Sequence, residues 1–262
     1  MRLLILKDYD DVCIRTANYI IERINAFAPT REKPFVMALP TGSSALGVYK
    51  NLISAHKEGK VSFSNVVSFN LDEYLGLPGD HPQSYRHYMK ENFFSSIDIR
   101  SENAHIPDGM ADDPEEECNL YEEKIRVHGG IELFIGGMGV NGHIAFNEPG
   151  TSLASRTSVQ ILARDTIIAN ARFFDGDPRK VPVKAITMGI GTATESREML
   201  IISSGRQKAK ALKDMVEGPL SHWNPLSCLQ IHPKAVVFCD EDAAEELKYS
   251  TVRYYKHIEG LE

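Results

Sequence analysis

Short, wholly apolar runs alternate along the chain with longer segments in which apolar residues recur every three or four positions. Residues 35–39 (Phe-Val-Met-Ala-Leu) are typical of the runs, and residues 12–27 are typical of the helical periodicity. Strands without polar alternation are buried on both faces, as in a parallel sheet covered by helices. The pattern therefore predicts an α/β fold with an open, mostly parallel, Rossmann-like sheet and helices on both faces.

The predicted strands and helices follow one another through nearly the whole sequence. Strands are predicted at 3–6, 35–39, 66–71, 131–135, 185–189, 199–203 and 235–239. Helices are predicted at 12–27, about 44–56, 84–94, 114–127, 207–216 and 243–247. No repeat or interdomain linker interrupts them, so residues 1–262 are predicted to form a single domain. The irregular stretch 150–183, with its glycine and prolines, is either a surface excursion or a mobile lid.

Composition narrows the classes of function. The 262 residues are 42% hydrophobic and 25% charged, which is typical of a soluble globular protein. A formal net charge of −7 argues against a broad nucleic-acid surface. No run approaches the ~20 apolar residues of a membrane helix, and the N-terminal run is too short for a signal peptide. The four scattered cysteines indicate reduced thiols, so we expect a cytoplasmic protein with neither nucleic-acid nor membrane partners.

The glycine-rich stretch 136–149 (Gly-Gly-Met-Gly-Val-Asn-Gly-His-Ile-Ala-Phe-Asn-Glu-Pro) is the most informative part of the chain. It follows the apolar run 131–135, as expected where a buried strand passes into a loop. Its glycines let the backbone approach a ligand, and the loop presents Asn141, His143 and Glu148. Ligands bind at the carboxyl ends of strands in such sheets, where this trio is suited to moving protons between sugar oxygens. The alternative is a structural glycine turn with a packed histidine.

A second candidate loop is made of small residues. Thr41, Gly42, Ser43 and Ser44 lead from the strand 35–39 into a helix. Free amides and hydroxyls at a helix N-terminus can hold a phosphate. Threonine and serine also cap helices for purely structural reasons, so the motif alone leaves both interpretations open.

Charged residues in two further places are candidates for a functional site. Asp72 and Glu73 end the strand 66–71, where a partly buried carboxylate can act as a general base or simply cap a turn. A carboxylate pair also suggests a divalent metal, but the nine histidines show no ligand spacing, and no metal is predicted. Arg172 and Lys208 are either solvated or bind an anion. Lys208 begins a helix, where a cation opposes the dipole unless an anion lies between them.

The sequence closely resembles the glucosamine-6-phosphate deaminase family of sugar isomerase-deaminases. The matching segments are Leu-Pro-Thr-Gly-Ser-Ser (39–44), Phe-Asn-Leu-Asp-Glu-Tyr (69–74), His-Pro-Gln-Ser-Tyr (81–85), the glycine-rich stretch to Gly150, Ser-Leu-Ala-Ser-Arg-Thr (152–157), Ala-Asn-Ala-Arg-Phe-Phe-Asp (169–175) and Ser-Cys-Leu-Gln-Ile-His-Pro-Lys-Ala (227–235). They extend over nearly the whole chain, and the set in this order is highly specific.

The resemblance implies roles in acid–base chemistry. Asp72 is implied to carry a proton between C2 and C1 of the sugar. His143 is implied to open the pyranose ring by moving a proton between O1 and O5, with Asn141 and Glu148 orienting and tuning it. Isomerisation through an enediol-type intermediate needs only such groups, so no cofactor is predicted.

The resemblance also implies where the phosphate binds and which segment moves. The turn 41–44 together with Arg172 and Lys208 is implied to hold the phosphate, whose binding energy keeps the open chain in register. Residues 160–185 are implied to form the lid, which places Arg172 on a moving part.

The sequence departs from the family at three places. Many members have Asp at position 141, and an amide there can only orient the imidazole, so the pH dependence is expected to differ. The stretch 222–225 (His-Trp-Asn-Pro) replaces the more usual His-Met-Trp-Thr. The resemblance implies that the allosteric site corresponds to Thr151, Ser152, Ser158, Gln160, Ile161 and Tyr254 and that it is degenerate here. Activated members carry Arg and Lys at 158 and 160, so weak activation by N-acetylglucosamine 6-phosphate is expected unless Arg156 or Arg164 compensates.

These observations favour an enzyme of amino-sugar catabolism that converts glucosamine 6-phosphate and water to fructose 6-phosphate and ammonia. Its predicted partners are a small sugar phosphate and copies of itself, with a hexamer favoured and a monomer possible. One rival is a 6-phosphogluconolactonase-like hydrolase, whose chemistry needs no C2 base. The other is a non-catalytic sugar-phosphate sensing module, which has no need of Asp72, His143 and Glu148 together.

Overall fold

A seven-stranded parallel sheet forms the centre of the protein. The computed structural model describes residues 1–261, apart from the side chain of Asp165. The strands are β1 (Arg2–Leu6), β2 (Phe35–Leu39), β3 (Val66–Asn70), β4 (Asp72–Tyr74), β5 (Ala104–His105), β6 (Leu133–Gly137), β7 (Ser158–Ile161), β8 (Lys184–Thr187), β9 (Met199–Ser203) and β10 (Ala235–Asp240). The main sheet has the order β1-β10-β9-β6-β2-β3-β5, and every pairing in it is parallel. This confirms the predicted open, mostly parallel sheet.

Eight α-helices accompany the strands within the described residues. They are α1 (Tyr9–Phe27), α2 (Ser43–Lys57), α3 (Tyr85–Asn92), α4 (Pro114–Val127), α5 (Arg164–Asn170), α6 (Ile190–Thr194), α7 (Ala209–Glu217) and α8 (Tyr249–Glu259). The start of α4 shows how local sequence sets a boundary. Asp113 accepts the backbone N–H groups of Glu115 and Glu116, and Pro114 occupies the first turn, where it needs no donor. No helix among residues 1–261 is long and apolar enough to cross a membrane.

A small antiparallel sheet lies beside the main one. Its order is β4-β8-β7. The predicted strand 185–189 therefore exists as β8, but it belongs to this sheet and not to the parallel one. The edge strand β7 was not predicted, because its residues are half-buried or exposed and form no apolar run.

The structure of residues 241–247 differs from the prediction. Residues 241–247 form a series of turns and not the predicted helix at 243–247. The carboxylate of Asp240 accepts the N–H of Ala243 at 2.8 Å and that of Gly205 at 2.9 Å, which fixes a turn at this point. Five residues are in any case too few for a helix to be stable by itself. The helix of this region is α8, which was missed because it has no buried residue.

The apolar side chains pack in three clusters. Two large clusters cover the two faces of the main sheet, as expected for strands that are apolar throughout. The third lies beside the small sheet and joins Tyr74 of β4 to Phe146 and Phe174. It also contains Leu162 and Val181, so much of the implied lid segment 160–185 shares one small core with the strand that carries Asp72.

Candidate active site

The loops that carry the candidate residues follow four neighbouring strands of the main sheet. In the order β9-β6-β2-β3, these strands are followed by Lys208, the 138–149 loop, the 41–44 turn and Asp72. Because the strands are parallel, their carboxyl ends lie at one edge of the sheet. The fold therefore gathers at one edge residues that are up to 167 positions apart in sequence, counting from 41 to 208.

Strand β8 joins the two catalytic candidates. Thr187 is the register partner of Asp72, and its hydroxyl oxygen accepts the backbone N–H of Phe146 at 3.1 Å. The side-chain amide of Asn147 donates to the carbonyl of Met188 at 2.8 Å. The loop that carries His143 is thus fixed to the same strand as Asp72.

Asp72 is buried, and one oxygen of its carboxylate has no hydrogen-bond partner. Its side chain is 7% exposed, and its Oδ1 atom has no hydrogen-bond partner. Burial, together with the nearby Glu73, raises the pKa of Asp72 to about 8. A general base works best when its pKa lies near the operating pH, so Asp72 has the burial and the pKa of a possible general base.

The carboxylate of Glu73, unlike that of Asp72, is held by hydrogen bonds to the backbone. It accepts the backbone N–H groups of Tyr74, Tyr85 and Arg86 at 2.9–3.0 Å and so caps the start of α3. Burial raises the pKa of Glu73 although these bonds oppose the effect. Glu73 is therefore engaged by backbone amides, whereas Asp72 Oδ1 has no partner. Among residues 1–261, no group of three His, Cys, Asp or Glu side chains is arranged to hold a metal ion.

His143 faces Glu148 across the loop. Its Nδ1 atom lies 3.4 Å from Glu148 Oε2, and the same oxygen accepts the side-chain N–H of Asn141 at 2.8 Å. Burial alone would raise the pKa of Glu148, but the interactions with His143, Thr166 and Asn141 lower it to about 2. The carboxylate is therefore ionised at neutral pH, where it can orient the imidazole and stabilise its protonated form.

Close packing holds this loop in place. A Cβ on Gly139 would lie 2.2 Å from the His143 ring, so only glycine leaves room for the imidazole. Gly142 has a φ of 82°, and a Cβ there would meet Asn224 Oδ1 at 2.2 Å. Leu226 N–H also donates to the Gly142 carbonyl at 3.1 Å. Asn224 of the unusual stretch 222–225 thus lies directly against the glycine-rich loop.

The residues predicted to bind the phosphate are the 41–44 turn, Arg172 and Lys208, and the fold brings only some of them close together. Gly42 begins α2 with a φ of 86° and no side-chain cap, and a Cβ on Gly137 at the end of β6 would lie 3.7 Å from Ser44. Burial, followed by repulsion from Arg172, lowers the pKa of Lys208. Arg172 and Lys208 are thus close enough to repel each other, which suits an anion between them.

Thr41 and Ser43 lie in the same turn as Gly42. Thr41 is half-buried, whereas Ser43 is exposed. Arg172 is exposed, and its guanidinium lies 4.6 Å from the ring centre of Phe173. The 41–44 turn and Lys208 thus follow the carboxyl ends of β2 and β9, whereas Arg172 stacks on its neighbour.

The positions that the resemblance implies for an allosteric site are spread over a loop, β7 and α8. Gln160 donates to the Ser158 hydroxyl at 2.9 Å on β7, and Thr151 N–H donates to the carbonyl of Glu148 at 3.0 Å. Ser152 accepts the backbone N–H of Ala154 at 3.2 Å, and Ile161 is 73% exposed. Tyr254 lies apart from them, on α8, which packs against β1 at the edge of the main sheet.

Arg156 is already engaged. It forms ion pairs with Glu122 at 2.6 Å and with Glu195 at 2.7 Å. Glu122 also accepts the N–H of Thr157 at 2.8 Å. Arg156 could replace a missing activator-binding cation only by leaving two carboxylates unpaired, one of which is largely buried.

Two residues that contact the candidate site were not predicted from the sequence. Thr166 donates from α5 to Glu148 Oε1, and Asn170 of the same helix donates to the Tyr74 hydroxyl at 2.9 Å. Nothing in their sequence context distinguishes them from other polar residues on a short helix. The contacts depend on how α5 packs, which only the tertiary structure shows.

Comparison with known proteins identifies the family of this chain. Residues 7–238 match the family described as glucosamine-6-phosphate isomerases/6-phosphogluconolactonase. The chain belongs to this family. It is 54% identical over 259 residues to a glucosamine-6-phosphate deaminase of Phocaeicola vulgatus, covering 99% of this chain and 98% of that protein. It is 52% identical over 262 residues to the Proteus mirabilis enzyme of the same name, covering 100% and 98%.

Solved structures of the family have the same fold. One described as a monomeric glucosamine-6-phosphate deaminase has a TM-score of 0.88 and 40% identity, covering 94% of this chain and 99% of that one. A 6-phosphogluconolactonase from Trypanosoma cruzi has a TM-score of 0.74 at 17% identity, covering 94% and 97%. At that identity the second likeness indicates the fold alone. The choice between the two activities depends on the relatives of high identity and on the site.

Proposed function

We propose that this member of the family is a glucosamine-6-phosphate deaminase, which converts glucosamine 6-phosphate and water to fructose 6-phosphate and ammonia in amino-sugar catabolism. The observation that carries the proposal is the buried Asp72, whose unpartnered Oδ1 and raised pKa suit a base at C2. Hydrolysis of a lactone needs no such base, and a pure sensor would not keep an uncompensated buried acid. The relatives at 52–54% identity support the same choice.

The residues divide the chemistry between them. His143, held by Asn141 and Glu148, moves a proton between O1 and O5 and opens the ring. Asp72 then removes the C2 proton and returns it to C1, which leaves an imine at C2. Water adds to the imine, and ammonia leaves. All of these steps are proton transfers and hydrolysis, so no redox or electrophilic cofactor takes part.

The direct test is release of ammonia from glucosamine 6-phosphate. Ammonia is measured with a coupled dehydrogenase, and fructose 6-phosphate is measured independently so that both products appear in equal amounts. Hydrolysis of 6-phosphogluconolactone is followed in parallel. Equal release of both products supports the deaminase, whereas turnover of the lactone alone would establish the rival.

The phosphate anchors give a prediction on substrate binding. Replacing Arg172 or Lys208 by Ala is expected to raise the KM for glucosamine 6-phosphate by about 10- to 100-fold, because each charge-assisted bond is worth about 1.5–3 kcal/mol. A fall in kcat accompanies it if phosphate binding also positions the open chain. Steady-state kinetics of ammonia release measure both constants.

Two exposed cations serve as controls for these variants. Arg179, on the same segment as Arg172, pairs with Asp177 at 2.8 Å, and Lys210 lies two residues beyond Lys208 and is exposed. Their Ala variants remove the same charge from the chain without touching the proposed site. Unchanged KM in the Arg172 and Lys208 variants would place the phosphate elsewhere.

Regulation gives a second prediction. Ser158 and Gln160 supply no cation for the phosphate of N-acetylglucosamine 6-phosphate, and Arg156 is held by two carboxylates. We therefore expect that compound to activate the enzyme weakly or not at all, and substrate saturation to be close to hyperbolic. Velocity against glucosamine 6-phosphate is measured with and without millimolar activator. A sigmoidal curve that the activator makes hyperbolic would contradict the prediction.

We further propose a single cytoplasmic domain that assembles into homo-oligomers, with the hexamer favoured. Exposed apolar side chains, including Trp223 and Tyr249 at 71% and 80% exposure, support association. The segment 160–185 is proposed as the lid. The related structure described as monomeric makes the monomer the alternative, and light scattering on the purified protein separates the two.

A further inference from the structure

Glu148 has two carboxylate oxygens with different partners. Oε2 faces the loop itself, where it meets the side-chain N–H of Asn141 and the Nδ1 atom of His143. Oε1 accepts the hydroxyl of Thr166, which lies on α5 and 18 residues further along the chain. The rotation of a glutamate carboxylate about its last bond is only weakly restricted by its own rotamers. The plane of this carboxylate, and so the direction of Oε2, depends on the partner of Oε1.

Asn141 makes this dependence stronger. Its amide donates to Glu148 and accepts the backbone N–H of His143 at 3.2 Å through its own oxygen. It brings no charge to the imidazole, so Glu148 is the carboxylate that His143 faces. A small rotation of that carboxylate changes the 3.4 Å separation from Nδ1 directly.

A second contact fixes the helix that carries Thr166. Asn170 donates to the Tyr74 hydroxyl at 2.9 Å, and Tyr74 is two residues beyond Asp72 on β4. Residues 166 and 170 are four positions apart and therefore lie on the same face of α5. That face touches both the loop of His143 and the strand of Asp72.

We propose that Thr166 is a positioning residue for Glu148, through which the placement of α5 sets the geometry of the His143–Glu148 pair. The inference rests on the proposed deaminase function and adds to it a residue that no sequence motif singles out. Thr166 does not touch the substrate in this proposal. It acts by holding the carboxylate that orients the imidazole, so that ring opening proceeds well only when α5 is docked.

The test uses Thr166→Val, which keeps the branched shape and removes the hydroxyl, together with Thr166→Ser, which keeps the hydroxyl. We expect Thr166→Val to lower kcat for ammonia release by roughly 10- to 100-fold, since misplacement of a catalytic group by about 1 Å has effects of this size. KM should change little, because the phosphate anchors are untouched. Thr166→Ser should retain most of the wild-type kcat.

The chain offers a closely matched control. Thr251 is the third residue of α8, as Thr166 is of α5, and it donates to Glu217 Oε1 at 2.6 Å. Thr251→Val removes a bond of the same kind away from the proposed site and should leave kcat unchanged. Thr166→Ala, which suits a helix, is measured beside Thr166→Val so that a folding failure of one variant does not decide the matter.

The kinetics of the Thr166 variants test the positioning role, whereas those of the wild type test the deaminase function. A wild-type kcat in both Thr166→Val and Thr166→Ala would overturn the positioning role, and so would an equal loss in Thr166→Ser. A rise in KM at constant kcat would assign Thr166 to substrate binding instead. Absence of ammonia release in the wild type would overturn the deaminase itself and this inference with it.

Discussion

Asp72→Asn is expected to lower ammonia release from glucosamine 6-phosphate by roughly 10²–10⁴-fold, the usual effect of removing a general base. Asparagine has nearly the same shape, so the strand pairing of β4 with Thr187 stays, but its amide cannot take the C2 proton. Substrate binding should be retained. Asp112→Asn, at an exposed position before α4, is the control. Near-normal turnover of the Asp72 variant would show that the base is elsewhere.

The same variant should be more stable than the wild type at high pH. Burial and Glu73 raise the pKa of Asp72 from 3.8 to about 8, so the folded state keeps a proton that the unfolded chain has lost. The stabilisation from that proton is fully present below about pH 4 and is lost as the pH rises through about 8. Asparagine never ionises and escapes this loss. Urea unfolding at pH 6 and pH 9 should show the advantage of the variant growing with pH.

His143→Gln is expected to lower kcat by a comparable factor, roughly 10²–10⁴-fold, but at a different step. Glutamine can accept hydrogen bonds from the loop, yet it cannot carry a proton between O1 and O5. Ring opening should then limit the rate. His128→Gln, at the amino end of the sheet where Nδ1 meets the Lys124 carbonyl at 2.8 Å, is the control.

Substrate deuterated at C2 separates the two roles. In Asp72→Asn the transfer of the C2 proton limits the rate, so the deuterated sugar should react distinctly more slowly. In His143→Gln the slow step precedes that transfer, and the two substrates should react at nearly the same rate. The opposite pattern would exchange the roles assigned to the two residues.

The strands of the main sheet could be predicted from the sequence because each is marked by a local run of apolar residues. Strands β2 and β9 match their predicted bounds, since runs such as Phe35–Leu39 are apolar on both faces and therefore specify burial by themselves. Helix α4 also matches, because Asp113 and Pro114 mark its start chemically. The candidate loops followed from the same reasoning, since they begin where these strands end.

The small sheet and the C-terminal helix could not be predicted in this way. An apolar run such as 185–189 predicts a buried strand but does not indicate which strand it pairs with. The prediction of one parallel sheet therefore did not place β8 in the small antiparallel sheet. Helix α8 buries no residue, and thus leaves no apolar period to detect. The 243–247 segment has a helical composition, but Asp240 fixes a turn there through its side chain.

The types of residue in the candidate site were determined by sequence, whereas their state was decided by tertiary structure. The resemblance to the family pointed to Asp72, His143 and Glu148, but only burial makes the pKa of Asp72 high and only the loop contacts make that of Glu148 low. The hydroxyl of Thr166 and the packing of Asn224 against Gly142 had no sequence signal at all. A sequence pattern records what each residue can do; solvent exclusion and long-range contacts depend on which distant segments the fold brings together.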